Sequence, residues 1–218
     1  MELLIATLAH TVKGSHDESV GRVRLVLEKV KNAPGMMDAR LYCGRNGETT
    51  YLILSAWEDG ELWRKAQVQY NPKELLLHSM SDLLTAPPEQ WRMHYLWGYS
   101  RVSVQATIAE AHVATVEPTM VERVAHNWLD GLRQQAVSPT LAFAFLARGN
   151  SEDMLSRYGQ NGLHSDGERT APDSTLLNVL SWPSETQRKE FYADQHYMAL
   201  RGFIHNAGVV RVLPLEPA

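Results

Sequence analysis

The side chains best suited to chemistry lie in the C-terminal part of the chain. Asn178 is the one amide in the apolar run Leu176-Leu177-Asn178-Val179-Leu180-Ser181-Trp182. Two strand periods separate it from Trp182, so both side chains leave one face, roughly 13 Å apart. A buried amide must find hydrogen-bond partners, and either a backbone carbonyl or a bound ligand supplies them. Trp182 is either a core ring or a functional one. Downstream, Tyr192, His196, Ala199 and Phe203 recur at i, i+4, i+7 and i+11 of a helical run, a stripe that turns His196 toward the sheet. His196 is then either a satisfied ring at a pocket edge or a proton-transfer group. Arg201, one turn later, is either solvated or the anchor for a phenolate.

Other chemistries find little support. Nine histidines are present, but none stands in His-x-His or His-Glu-x-x-His spacing, and one cysteine, Cys43, rules out an internal disulfide or a cysteine-rich metal site. No metal is expected. Phosphate-cradling glycine loops and a serine nucleophile elbow are absent from the sequence. The 21 basic and 25 acidic side chains give a net charge of −4, which argues against a nucleic-acid-binding surface. Met1-Glu2-Leu3-Leu4 carries an acid where a signal peptide has a base, and no apolar run approaches the ~20 residues of a membrane span. A soluble, cytoplasmic protein without a membrane partner is expected.

The elements that position these residues come as two copies of one unit. The order β-α-β-β-α-β runs from Leu3 to Tyr99, with a helical stripe of Val20, Val23, Leu27 and Val30 and a second helical stretch broken near Asn71-Pro72. It recurs from Val104 to Leu213, with the stripe Val121, Val124, Trp128 and Leu132 and one helix from Glu185 to about His205. The copies span 1–101 and 102–218, which predicts an α+β fold of tandem ferredoxin-like repeats. The first helices align at an offset of about 101, whereas Ser55-Ala56-Trp57 aligns with Leu180-Ser181-Trp182 at 125. The difference places an insertion of roughly 24 residues at about 147–173, far beyond the ordinary length of a hairpin loop. Its glycines, together with Tyr158, His164 and several arginines, make it either a surface loop or a lid. Each sheet has one face under its helices and one left to be covered. The all-apolar run Leu141-Ala142-Phe143-Ala144-Phe145 predicts that the second copy covers it, as a pseudo-dimeric barrel.

Trp182 precedes His196 by fourteen residues, within Asp194-Gln195-His196, and Asn178 precedes Trp182 by four. In these features the chain resembles the dimeric α+β barrel superfamily, and within it the antibiotic biosynthesis monooxygenase-like family of the anthrone oxygenase type, as two fused copies. The first copy keeps Trp57 but has Ile53 and Asn71 at the other two positions. The resemblance implies a monooxygenase acting on an electron-rich polycyclic phenol, an anthrone or another aromatic polyketide intermediate, with O2 as the second substrate. It implies Asn178 as donor to an oxyanion, Trp182 as ring platform and indole donor, and His196 as proton shuttle. Arg201, Tyr192, Phe203 and Tyr158 would line the substrate. No bound cofactor is then required, although reduced flavin or haem occurs in relatives. The alternatives are a haem-binding or haem-degrading barrel and a non-catalytic ligand-binding stress-response barrel. Haem-degrading relatives place their histidine where this chain has Arg201. The internal pseudo-dimer implies a monomer, or a homodimer of such chains.

Overall fold

The computed structural model describes residues 3–45, 49–137, 140–151 and 174–218. Residues 152–173 of the expected insertion, with Tyr158, lie outside the described residues, whereas 147–151, expected to open it, continue the strand Phe143–Ser151, with Ala147, Arg148 and Gly149 paired to Leu177, Leu176 and Thr175. Eight antiparallel strands follow one another in the hydrogen-bonded order β1-β3-β2-β8-β5-β7-β6-β4 and close as a barrel, the α+β architecture expected from the repeat. They are β1 (Leu3–His10), β2 (Met36–Gly44), β3 (Thr50–Trp57), β4 (Glu89–Ser100), β5 (Ile108–Val116), β6 (Phe143–Ser151), β7 (Thr175–Trp182) and β8 (Gly208–Pro217). Among the described residues the chain divides into two compact units, one of residues 3–94 with Ser151 and Pro217–Ala218, the other of Tyr95–Asn150 and residues 174–216.

In the first unit, α1 (His16–Lys31) buries Val23, Val26, Leu27 and Val30, a stripe at helical spacing. It packs on Ala39, Leu41, Tyr51 and Ile53 of β2 and β3. Gly35 turns the chain into β2 with φ +81°, and a Cβ there would sit 2.7 Å from Cβ of Leu62, so only glycine fits. Asp59 caps α2 (Gly60–Tyr70), its carboxylate accepting the N–H groups of Glu61 and Leu62 at 2.8 Å. The helical stretch then breaks at Asn71, as its Asn-Pro pair predicts. Asn71 has extended backbone angles, and its side chain accepts the N–H of Lys73 to start α3 (Pro72–Met80).

In the second unit, α4 (Val121–Ala136) buries Val121, Val124, Trp128 and Leu132 against Ile108, Leu176, Leu180 and Trp182 of the sheet. The single helix expected from Glu185 to His205 is two. Ser184 caps α5 (Glu185–Ala193) and Asp194 caps α6 (Gln195–Ala207), accepting the N–H of Tyr197 at 2.8 Å. Asp194 has φ −65° and ψ 123°, nearly the angles of Asn71, so these two caps are the equivalent positions. The break resets the helical phase. Tyr197 and Ile204 are buried, with Leu200 and Ala207 packed beside them, while His196 is exposed. The expectation that His196 faces the sheet therefore fails, because the stripe drawn from Tyr192 crosses a capped break.

Removing the caps measures how much the breaks depend on them. Asp194→Ala and Asn71→Ala should each cost about 1 kcal/mol of unfolding free energy in a urea titration, with Asp194→Asn close to the parent. An alanine variant as stable as the parent would show that packing alone sets the break.

Candidate functional site

The site of the second unit is assembled across β5 and β7, on the face that lies under the helices. Ile108 pairs with Trp182, Glu110 with Leu180 and His112 with Asn178. Side chains directly opposite in an antiparallel pair leave the same face, so one carboxylate, one imidazole, one amide and one indole share this surface. All four are buried, and only 8% of the Glu110 side chain and 3% of the His112 side chain is exposed.

A buried carboxylate needs partners, and Glu110 has three. Arg188 of α5 donates from Nη1 to Oε1 at 2.5 Å, and Tyr192, one helical turn later, donates its hydroxyl to Oε2. His112 Nε2 lies 3.5 Å from the same Oε2 and 3.1 Å from the Tyr192 oxygen. Burial favours the neutral acid. The hydrogen bonds from His112 and Tyr192 and the charge of Arg188 outweigh it, so Glu110 ionises below the usual carboxylate range. Arg188 is held in turn by Glu185 at 2.7 Å. The Tyr192 phenol is pushed far up by burial, by Tyr197 and by the Glu110 charge, which keeps it a hydroxyl donor. Burial likewise raises Tyr197.

Around this network the rings pack closely. Trp182 lies 5.4 Å from Phe191 and 5.7 Å from Tyr192, and His112 meets the edge of Trp128 at 89°. Arg201 is exposed, yet its guanidinium carbon stands 5.1 Å from the centre of the Tyr192 ring. Phe203 is half-buried beneath Arg123, at 5.5 Å. Asn178 is fully buried. Its Nδ2 donates to the Phe145 carbonyl at 2.7 Å, and among the described residues neither its Oδ1 nor the indole Nε1 of Trp182 has a partner.

Of the residues singled out in the sequence, Asn178, Trp182 and Tyr192 come together, Arg201 stands over Tyr192, and Phe203 packs on the helical side. His196 does not reach the site. Glu110, His112 and Arg188 were missed. The signal was in the strand Ile108-Ala109-Glu110-Ala111-His112-Val113, where two ionisable residues two positions apart occupy one face of an otherwise apolar segment. Among the described residues no group of three or more histidine, cysteine or acidic side chains is placed to hold a metal ion.

Among the described residues the first unit has no such network. Leu3, Ile5 and Thr7 stand where the second has Ile108, Glu110 and His112, opposite Trp57, Ser55 and Ile53. There the indole of Trp57 donates to Ser55 Oγ at 3.2 Å, and Gln90 donates to Thr7 at 2.9 Å. Leu180 replaces Ser55 in the second unit, which is why the Trp182 N–H finds no acceptor.

No family model and no curated protein matches the chain. Solved structures do. An anthrone oxidase-like protein superposes over 100% of this chain and 91% of its own, with a TM-score of 0.73 at 13% identity. A ferredoxin-fold protein from Listeria monocytogenes related to antibiotic biosynthesis monooxygenases gives 0.54 at 7% identity, over 100% and 96%. This chain shares their fold. A heme-degrading enzyme from Listeria monocytogenes is similar too, at 0.52 and 6% identity over 99% of each chain.

The Glu110 network predicts a pH dependence of stability. A carboxyl held below its unfolded value of about 4.3 contributes fully above that value, and the contribution is lost as pH falls through the folded value. Glu110→Gln should cost about 1–3 kcal/mol near pH 7 and lose less stability than the parent between about pH 5 and pH 3. Parallel denaturation curves for the two proteins across that range would show that Glu110 is not ionised below the usual range.

Proposed function

We propose that the second unit oxidises an electron-rich, enolisable polycyclic phenol, an anthrone or another aromatic polyketide intermediate, using O2. The observation that carries this reading is the pair of fully buried, unpartnered polar atoms on one sheet face, Asn178 Oδ1 and Trp182 Nε1. Native interiors rarely leave such atoms unsatisfied, and a ligand bearing both a hydroxyl and a carbonyl oxygen would satisfy both. The anthrone oxidase-like and monooxygenase-related neighbours support oxygenation as the chemistry.

The residues divide the work as follows. Trp182 donates its indole N–H to the oxygen on which negative charge develops when the substrate becomes an enolate. Asn178 takes the other end. One N–H of its Nδ2 goes to the Phe145 carbonyl, the second remains to donate to an oxyanion as the resemblance implies, and Oδ1 is open to accept a phenolic hydroxyl. Arg201 and Arg188, both near the Tyr192 ring, add positive potential on the helical side. The enolate gives one electron to O2, the two radicals join at carbon, and the hydroperoxide loses water to leave a quinone carbonyl. The substrate thus supplies every electron that O2 accepts, and no bound cofactor is required.

The haem alternative has less support. Arg201 occupies the helix position expected of a haem-ligating histidine, His196 and His205 are exposed, and Nε2 of His112 is engaged by Tyr192 and Glu110. These placements in the second unit favour the oxidation over haem binding there.

The purified protein with a dihydroxyanthrone should consume O2 and form the quinone in equal amounts. Its own visible spectrum should show neither a Soret band nor a flavin band near about 450 nm. Asn178→Ala should slow turnover at least about tenfold, roughly 1.4 kcal/mol in the barrier, whereas His78→Ala in the first unit should do much less. No O2 uptake, or a rate indifferent to Asn178→Ala, would sink the reading.

A further inference from the structure

We infer that His112 is the catalytic base of the second unit, taking the activated C–H proton of the substrate on Nδ1, with Tyr192 and Glu110 as positioning residues that fix its tautomer. The inference rests on the oxidation proposed above and names the group that generates the enolate.

The tautomer follows from counting donors. The Tyr192 hydroxyl has one proton, and it goes to Glu110 Oε2. Glu110 is a carboxylate, so it accepts only. His112 Nε2 therefore faces two acceptors, the Tyr192 oxygen at 3.1 Å and Glu110 Oε2 at 3.5 Å, and must itself carry the proton. In a neutral imidazole that leaves Nδ1 as the basic nitrogen. Arg188 holds Glu110 from the other oxygen, so the carboxylate stays in place to accept.

The position suits the task. His112 stands directly opposite Asn178 in the β5–β7 ladder, and opposed side chains start from Cβ atoms roughly 5 Å apart. A substrate whose hydroxyl is accepted by Asn178 Oδ1 is thus presented beside the imidazole. The C–H proton passes to Nδ1 and the bonding pair remains on the substrate as the enolate. When C–O bond formation gives a peroxide anion, the imidazolium returns that proton, and loss of water follows. The ring that accepts a proton gains a positive charge, which the Glu110 carboxylate stabilises through Nε2–H. His196, assigned this role from the resemblance, is exposed beyond the capped break at Asp194.

The base can be tested apart from the oxidation. Without O2, in D2O, the parent protein should speed deuterium exchange at the methylene of a dihydroxyanthrone. His112→Gln should reduce that rate about 100-fold or more, a typical loss for a general base. Tyr192→Phe and Glu110→Gln should reduce it about tenfold, and 15N NMR should then show a mixture of imidazole tautomers. In the unmodified protein the same NMR measurement should find the proton of His112 on Nε2, a readout that needs no variant to fold. A proton on Nδ1, no exchange by the parent, or full exchange by His112→Gln would each overturn the inference. Exchange without aerobic O2 uptake would instead remove the oxidation and leave the base. O2 uptake that survives in His112→Gln would do the reverse.

Discussion

A carboxylate set under two helices dictates much of what surrounds it. An unpaired charge at the depth of Glu110 would cost several kcal/mol, so the second unit places a cation and two hydrogen-bond donors against it. Both helix-borne partners come from α5, as Arg188 and Tyr192 at i and i+4, which orients that helix on the sheet. The capped break at Asp194 then frees α6 to turn its own phase inward, so that Tyr197 rather than His196 meets the core. The position of one charge thus reaches through two helices.

The two units show the same frame with different contents. Each ends its third strand in a fully buried tryptophan, and each caps a helix break with a short polar side chain in extended conformation. In the first, Ser55 accepts the indole N–H, Thr7 accepts from Gln90, and Ile5 stands where a charge could have been. In the second, leucine takes the place of that serine, and glutamate and histidine take the places of isoleucine and threonine. The missing acceptor and the ionisable pair thus fall on one face of the second unit.

Much of the frame was legible in the sequence because it rests on periodicity. The valine stripes of α1 and α4, the Asn-Pro break and the repeated strand-end tryptophan all survive as read. The site was legible only where a residue was conspicuous on its own strand, as Asn178 was. His196 was misplaced because a stripe counted across a capped break assumes a helix that stops at Asp194; Asp194 aligned on Asn71 would have shown it. Glu110 and His112 were overlooked because their significance lies in register. Only the ladder sets His112 across from Asn178, and only tertiary packing brings Tyr192 and Arg188 to Glu110.

Joining two copies in one chain has a consequence for how such a protein can change. When a barrel is made from two identical chains, every substitution is imposed on both halves, so a charge that suits a reaction must be tolerated twice. Here Glu110 has no counterpart to be tolerated, because its partner position is Ile5. The first unit can keep this sheet face free of ionisable groups, while the second carries a carboxylate and an imidazole that depend on partners from a helix. Fusion relaxes symmetry, and the leucine at position 180, where the first unit has the serine at position 55, is one place where the two copies differ.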